Sequence, residues 1–304
     1  MKRALVDLGS NTVRLSVYNT DADAFHLLFS EKETAGLAGY ISDGKMSQDG
    51  MQKACDILLN FSDILKNLEI NDFSVFATAS LRNITNTDEA VEYIKQHTGI
   101  EVDVIAGKTE AEYGCKGALK AVTQNVNAMF DIGGGSTEIV LLNNDVITSA
   151  KSFQVGSLTL FKENVSNLLP QKQELKKIKN KIDQALAEQQ TAQADILCGV
   201  GGTARALLKI SNDLFDKQSS EIDRAEFIKI KHILLKDEKK AKDLILKNCP
   251  DRIHTIIPGM LIISKLIKRF DSSKLVISKY GVREGYLCQK LMNPTIYPTH
   301  KTEN

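Results

Sequence analysis

The sequence predicts an α/β protein made of two domains, and three observations carry that expectation. The chain has 304 residues, about twice the length of an ordinary domain. Candidate strands alternate with candidate helices along it. The opening plan, a hairpin built around an Asp-apolar-Gly turn, restarts after residue 124, so the expected domains are 1–124 and 125–304.

Each element has its own signal. Arg3–Leu8 reads as a short buried strand, Gly9-Ser10-Asn11 as a turn and Thr12–Tyr18 as the returning strand. Residues 50–68 follow a helical period that puts Cys55, Leu58, Leu59 and Leu65 on one side. Phe73–Thr78 and Glu101–Ile105 read as strands, with a helix over Asp88–His97 between them. Thr109 is the expected N-cap of a helix running to about Val122, with Glu112 completing a capping box. In the second half, Ala128–Ile132 and Thr137–Leu142 form the repeated hairpin around Gly133-Gly134-Gly135. Pro170–Gln189 reads as a polar helix, Ile196–Val200 as a strand and Thr203–Ile210 as a helix. Helices over 223–235, 238–247 and Ile256–Arg269, a strand at Leu275–Ser278 and a closing helix at Val282–Met292 complete the chain.

Composition excludes several classes. With 42% hydrophobic residues the chain can bury ordinary cores and does not read as disordered. Its five cysteines are scattered, with no C-x-x-C pair, which excludes a disulfide framework and a cysteine zinc site. No apolar run approaches the ~18–20 residues of a membrane span. Met1-Lys2-Arg3 leads into an apolar stretch broken at Asp7, unlike a secretory leader, so a cytoplasmic setting is expected. Aromatics are 6% with no Trp, a poor match to a stacking groove for single-stranded nucleic acid. The net charge of +1 conceals an asymmetry: residues 1–124 carry 12 basic and 18 acidic side chains, the remainder 27 and 20. That split suits an anionic partner on the second half, although Lys172, Lys176, Lys177, Lys179 and Lys181 also suit the solvated face of one helix.

The chemistry concentrates at the two turns. Asp7-Leu8-Gly9-Ser10-Asn11-Thr12 and Asp131-Ile132-Gly133-Gly134-Gly135-Ser136-Thr137 both place Asp-apolar-Gly at a strand end before a polar turn. Glycine lets backbone N–H groups approach an anion, and the Ser, Thr and Asn groups add donors. An ionised aspartate beside phosphate needs a cation such as Mg²⁺. Gly199-Val200-Gly201-Gly202-Thr203-Ala204 follows a strand and opens a helix. It reads as a third cradle at a helix N-terminus, or alternatively as a dinucleotide site with Asp223 about 20 residues on. Gly107-Lys108-Thr109 lacks the earlier glycine of a P-loop, having Val102 there. No G-x-S-x-G is present.

These turns, with the segments between them, resemble the exopolyphosphatase/guanosine pentaphosphate phosphohydrolase (Ppx/GppA) family of the actin/Hsp70/sugar-kinase superfamily. The match begins with Val6–Thr12 and Arg14, and continues through Ala77–Arg82 with Asn86. Gly107–Glu112 with Gly117 and the string Asp131–Glu138 follow. Gly201-Gly202-Thr203, Pro258-Gly259 and Gly281–Gly285 complete it in order. The resemblance implies two ribonuclease-H-like (actin-like ATPase) domains facing each other across a cleft, in a chain that ends where the short members end. It implies hydrolysis of a terminal phosphoanhydride, in inorganic polyphosphate or in guanosine pentaphosphate, with Mg²⁺ or another divalent cation. No nucleic acid or membrane partner is expected, and a homodimer is left open.

By the same resemblance Glu110 is the general base and Arg82 grips the terminal phosphate. Ser10, Asn11, Arg14, Gly133, Gly134, Gly135, Ser136, Thr137, Gly201, Gly202 and Thr203 hold phosphate, and Asp7, Asp131 and Glu138 are the candidate metal carboxylates. Alternative readings are dipole complementarity for Glu110, a surface ion pair for Arg82 and a solvent-facing strand position for Glu138. An ATP-dependent kinase and a non-catalytic polyphosphate or nucleotide sensor are the rival classes. Thr109 stands where many members have a second acidic residue, while Thr12 and Ile84 depart mildly from the family pattern. Arg252-Ile253-His254 stands in place of its common Arg-Ala-Asp, which puts cation dependence and substrate choice in question.

Overall fold

The computed structural model describes residues 1–21 and 24–292. Contacts divide the chain into two units: Met1–Ala106 together with the segment from Val282, and Gly107–Gly281.

The first unit is built on a five-stranded sheet in the order β3-β2-β1-β6-β7. β1 (Lys2–Leu8), β2 (Thr12–Thr20) and β3 (Phe25–Thr34) form an antiparallel meander. A small hairpin, β4 (Ile41–Ser42) and β5 (Lys45–Met46), precedes helix α1 (Gln48–Asn67). β6 (Phe73–Ala77) then pairs parallel to β1, and β7 (Val102–Val104) parallel to β6. The short α2 (Ala79–Arg82) and α3 (Thr87–Thr98) lie between these last two strands in sequence. Ser47 caps α1, its hydroxyl accepting from the Gly50 amide at 3.3 Å. The buried side of α1 includes Cys55, Leu58, Phe61 and Leu65, packed with Val6, Leu8, Val13 and Leu15 of the sheet. Leu59, expected on that side, is exposed because it lies off the stripe.

The second unit repeats the plan. Its six-stranded sheet runs β10-β9-β8-β11-β13-β12. The antiparallel meander is β8 (Ala128–Ile132), β9 (Thr137–Asn143) and β10 (Val146–Phe153). β11 (Ile196–Val200) and β13 (Lys274–Ile277) continue parallel to β8, and β12 (Glu221–Asp223) closes the far edge antiparallel. The helices are α4 (Gly107–Leu119), α5 (Ser157–Asn164), α6 (Lys172–Ala185), α7 (Gly201–Leu214), α8 (Arg224–Lys236), α9 (Glu238–Asn248) and α10 (Ile256–Phe270). Alternation along β8 divides its side chains between two cores. Phe130 and Ile132 join α7, α8 and α10, while Met129 meets Ala111, Cys115 and Ala118 of α4.

That second core corrects two expectations. α4 packs on β8, β9 and β10, so the unit boundary falls at Gly107 rather than at 124. The helix also starts at Gly107, which puts Thr109 inside the first turn and not at the N-cap. Strands β3, β10 and β12 and helix α5 were not expected. β3 and β10 each carry a register shift, after Val17/Tyr18 and at Ile147/Ser149, that breaks the period-two pattern.

The chain ends its described part with α11 (Val282–Tyr286) and a π-helical turn, Leu287–Met292. The Gly281–Gly285 motif fastens this end to the first sheet. Tyr18 donates from its hydroxyl to Glu284 Oε1 at 2.7 Å, and Arg283 Nη1 donates to Ser16 Oγ at 2.8 Å. Burial, with the Glu284 carboxylate beside it, pushes the Tyr18 phenol far above its ordinary range. Among the described residues no helix is long and apolar enough to cross a membrane.

Candidate active site

In the first unit, the candidate residues collect at the end of the sheet where β1 meets β2 and β6. Leu8 is paired with Val13 on one side and Ala77 on the other, so the turn after β1 and the segment after β6 emerge together. The turn is held by its carbonyls. Ser10 O accepts from Ala38 N at 2.9 Å, and Asn11 O accepts from Ala35 N and Gly36 N at 3.0 Å. Asp7 and Arg14 face each other across β1 and β2, and Arg14 Nη1 donates to Ser30 Oγ at 3.2 Å. Ser80 donates from its hydroxyl to Leu8 O, tying α2 to the end of β1. Arg82, on the same short helix, is half-buried and donates from Nη1 to Ile105 O at 3.2 Å. Ile105 in turn donates its amide to Ala77 O at 3.0 Å. Asn86 serves as a clamp: its side chain accepts from Met46 N at 2.9 Å and donates to Met46 O at 3.1 Å, holding the β4–β5 hairpin.

The second unit gathers its set at the ends of β8 and β11. Asp131 is paired with Val200 on one side and Glu138 on the other. The glycine turn is strapped by the amino end of α5. Ser157 donates its amide and its hydroxyl to Gly133 O, each at 3.0 Å, and Leu158 and Thr159 donate their amides to Gly134 O at 3.0 Å. Gly201 has φ +83°, and a Cβ there would fall on the carboxylate of Asp131. Both features require glycine, and together they let Asp131 lie against the first turn of α7. At the next residue, the guanidinium of Arg252 occupies the space a Gly202 side chain would need. α7 thus begins with a carboxylate on one glycine and a guanidinium on the other.

Three residues take roles that sequence reasoning did not give them. Thr137 is fully buried and donates from Oγ1 to Val155 O at 2.5 Å, so its side chain braces the turn and is not offered to a ligand. Thr203 is buried as well, with Oγ1 3.5 Å from Ile132 O. Glu138 faces inward, only 3% exposed, and accepts from Ser152 Oγ at 2.7 Å. Ser152 and Ser80 were missed because a lone serine carries no pattern. Arg252 was read only as part of a departure, and its partner glycine is 50 residues away. His254 is exposed with its ring 4.7 Å from that of Phe161. Glu110 stands half-exposed in the first turn of α4, in the second unit rather than the first.

This arrangement has counterparts among known proteins. A sequence model of the Ppx/GppA phosphatase family matches residues 16–293. The chain belongs to that family. Curated relatives are more distant. The bifunctional 3-dehydroquinate synthase/phosphatase of Fusobacterium nucleatum is 24% identical over 96% of this chain and 47% of its own length. The guanosine-5'-triphosphate,3'-diphosphate pyrophosphatase of Pseudoalteromonas translucida is 24% identical over 95% of this chain and 59% of its own. The chain thus spans about half the length of the curated relatives it matches. Among solved structures, an exopolyphosphatase from Cytophaga hutchinsonii superposes with TM-score 0.81 at 24% identity, covering 97% of this chain and 98% of that one. The Aquifex aeolicus Ppx/GppA family member gives 0.79 at 20%, covering 97% and 99%. The fold of this Ppx/GppA member is therefore the two-domain actin-like one.

Whether a divalent cation suits the Ppx/GppA site is tested by its carboxylates. Asp131 and Glu138 are directly opposed across two antiparallel strands, an arrangement that is unfavourable for like charges and that a cation relieves. Among the described residues no three His, Cys, Asp or Glu side chains form a metal-binding cluster. Mg²⁺ ordinarily keeps several waters and takes one or two carboxylates plus substrate phosphates, so two acids fit it.

Proposed function

We propose that this Ppx/GppA member hydrolyses the terminal phosphoanhydride of inorganic polyphosphate, releasing phosphate. The observation that carries this reading is the position of Asp131 against Gly201, beside the glycine turn and at the amino end of α7. A helix N-terminus and a strapped glycine turn favour phosphate oxygens. A carboxylate placed among them makes chemical sense with a cation.

Phosphoryl transfer to water depends mostly on positioning and on stabilising charge at the phosphate oxygens. In this reading Glu110 accepts the proton of the attacking water, and Arg82, which donates to Ile105 O, grips the terminal phosphate. Ser10 and Asn11 on the first unit, and the turn Gly133–Ser136 with Gly201 and Gly202 on the second, supply neutral donors. Arg14 and Arg252 supply further positive charge. Asp131 and Glu138 would hold Mg²⁺, with Asp7 the candidate on the first unit; the bound ion supplies neutralisation of phosphate charge.

Polyphosphate is preferred over a nucleotide because the second half of the chain carries the net positive charge. Guanosine pentaphosphate is the second reading, favoured by the names of the curated relatives. A phosphate-release panel separates them: short and long polyphosphate and guanosine pentaphosphate, each with Mg²⁺ and with EDTA. Cation-dependent release from polyphosphate supports the first reading. Release confined to guanosine pentaphosphate replaces it with the second.

A further inference from the structure

Arg14, Ser16 and Tyr18 alternate along β2 and share one face of the first sheet, opposite the face where Val13, Leu15 and Val17 enter the core with α1. α11 meets that face twice: Arg283 Nη1 donates to Ser16 Oγ at 2.8 Å, and Tyr18 donates to Glu284 at 2.7 Å. Ser30 of β3 stands directly across from Ser16, with the two hydroxyl oxygens 3.4 Å apart. Each hydroxyl carries one proton. That of Ser30 goes to Leu15 O at 3.0 Å, so the proton between the serines comes from Ser16. Ser30 Oγ then accepts from Ser16 and from Arg14 Nη1, the latter at 3.2 Å. Arg14 on β2 and Arg283 on α11 thus converge on one pair of serines, with the direction of every hydrogen bond fixed.

We propose that Arg283 is a positioning residue for Arg14, acting through Ser16 and Ser30. A guanidinium only donates, so the proton of Ser16 cannot turn toward Arg283 and is directed at Ser30. Ser16 is fully buried, which keeps water from competing for that proton. Ser30 is exposed, and without this input its hydroxyl would turn with the solvent. Arg14 needs the anchor because Lys32 lies directly opposite it on β3, where like charges repel, while Asp7 lies opposite on β1. A donor fixed at Nη1 fixes the guanidinium plane, and a planar fork grips phosphate from one plane only. The inference rests on the phosphate-binding role given to Arg14 above. That role lies in holding bound substrate and not at the breaking bond, so losing the orientation of Arg14 changes KM and spares kcat.

The test uses the whole chain and phosphate release from polyphosphate. Arg283→Gln introduces an acceptor beside Ser16 and frees its proton to reverse, whereas Arg283→Lys remains a pure donor. KM should rise about fivefold in Arg283→Gln, the worth of one hydrogen bond, with kcat within about twofold, and Arg283→Lys should restore it. Ser16→Ala, a smaller change inside the fold, should raise KM likewise. In an Arg14→Lys background Arg283→Gln should add nothing. Tyr18→Phe breaks the other hold on α11 and should lower Tm without moving KM. An unchanged KM in Arg283→Gln, additive effects with Arg14→Lys, or an equal rise of KM in Tyr18→Phe overturns the proposal and leaves the polyphosphatase reading standing. Nitrogen-15 NMR of the arginine side chains, with Arg14 assigned by its absence from Arg14→Lys, needs no substrate. Rotation of the Arg14 guanidinium should be slow in the wild type and in Arg283→Lys, and faster in Arg283→Gln and Ser16→Ala. If the wild type releases no phosphate, the polyphosphatase reading fails. The link from Arg283 to Arg14 then stands if that rotation changes as stated and falls if it does not.

Discussion

The carboxylate of Asp131 fills the volume that a side chain on Gly201 would occupy, and Gly201 itself has φ +83°. The carboxylate at the end of β8 and the first turn of α7 are thus fitted to each other. Gly201→Ala meets both obstacles at once. It should lower stability by about 1–3 kcal/mol and reduce phosphate release well beyond that, because Asp131 must move. Thermal unfolding and turnover of the variant check both effects; an unshifted Tm with full turnover contradicts the fit.

Arg82 donates to the backbone carbonyl of Ile105, and in the proposed reading its planar fork is what engages the phosphate. Arg82→Lys keeps the charge and loses the fork. We expect turnover to fall by at least about tenfold in Arg82→Lys and further in Arg82→Ala. Equal activity of the lysine variant and the wild type would reduce Arg82 to a charge.

Glu138 is inward-facing and accepts from Ser152 at 2.7 Å. Removing that donor in Ser152→Ala leaves the carboxylate less well oriented toward a cation. The expected result is a higher Mg²⁺ concentration for half-maximal activity, with maximal turnover largely restored at saturating Mg²⁺. A loss that Mg²⁺ does not restore points instead to a role in folding.

Cys115 and Cys198 share the small core beneath α4, and burial pushes both thiols from 9.0 up to about 12. Below pH 9 both are neutral whether the chain is folded or not, and their contribution is intact. As pH rises from about 9 toward 12 the unfolded chain ionises its thiols while the folded chain cannot, so stability falls. Denaturant midpoints at pH 8 and pH 10 should therefore differ, and the difference should shrink in Cys115→Ala.

Much of this was legible in the sequence for a physical reason. The Asp-apolar-Gly turns declare themselves because glycine, aspartate and short hydroxyl residues are all needed within a few positions. β8, β11 and α7 declare themselves through burial on a fixed period. The boundary at Gly107 did not, because α4 follows β7 directly and only packing against Met129 and Val140 assigns it to the second sheet. β3 was hidden by its register shift and its mostly exposed face. Arg252 over Gly202 and Ser152 beside Glu138 were hidden because each pair joins residues that lie far apart in the chain and whose partnership only the fold creates.

The central claim is that Glu110 takes the proton of the attacking water. Its most direct test is phosphate release from polyphosphate by Glu110→Gln, with Mg²⁺ present and with binding of the same substrate measured in parallel. The account predicts a loss of turnover of at least about a hundredfold with substrate affinity and thermal stability retained. Turnover near that of the wild type in a folded, substrate-binding Glu110→Gln protein would contradict it.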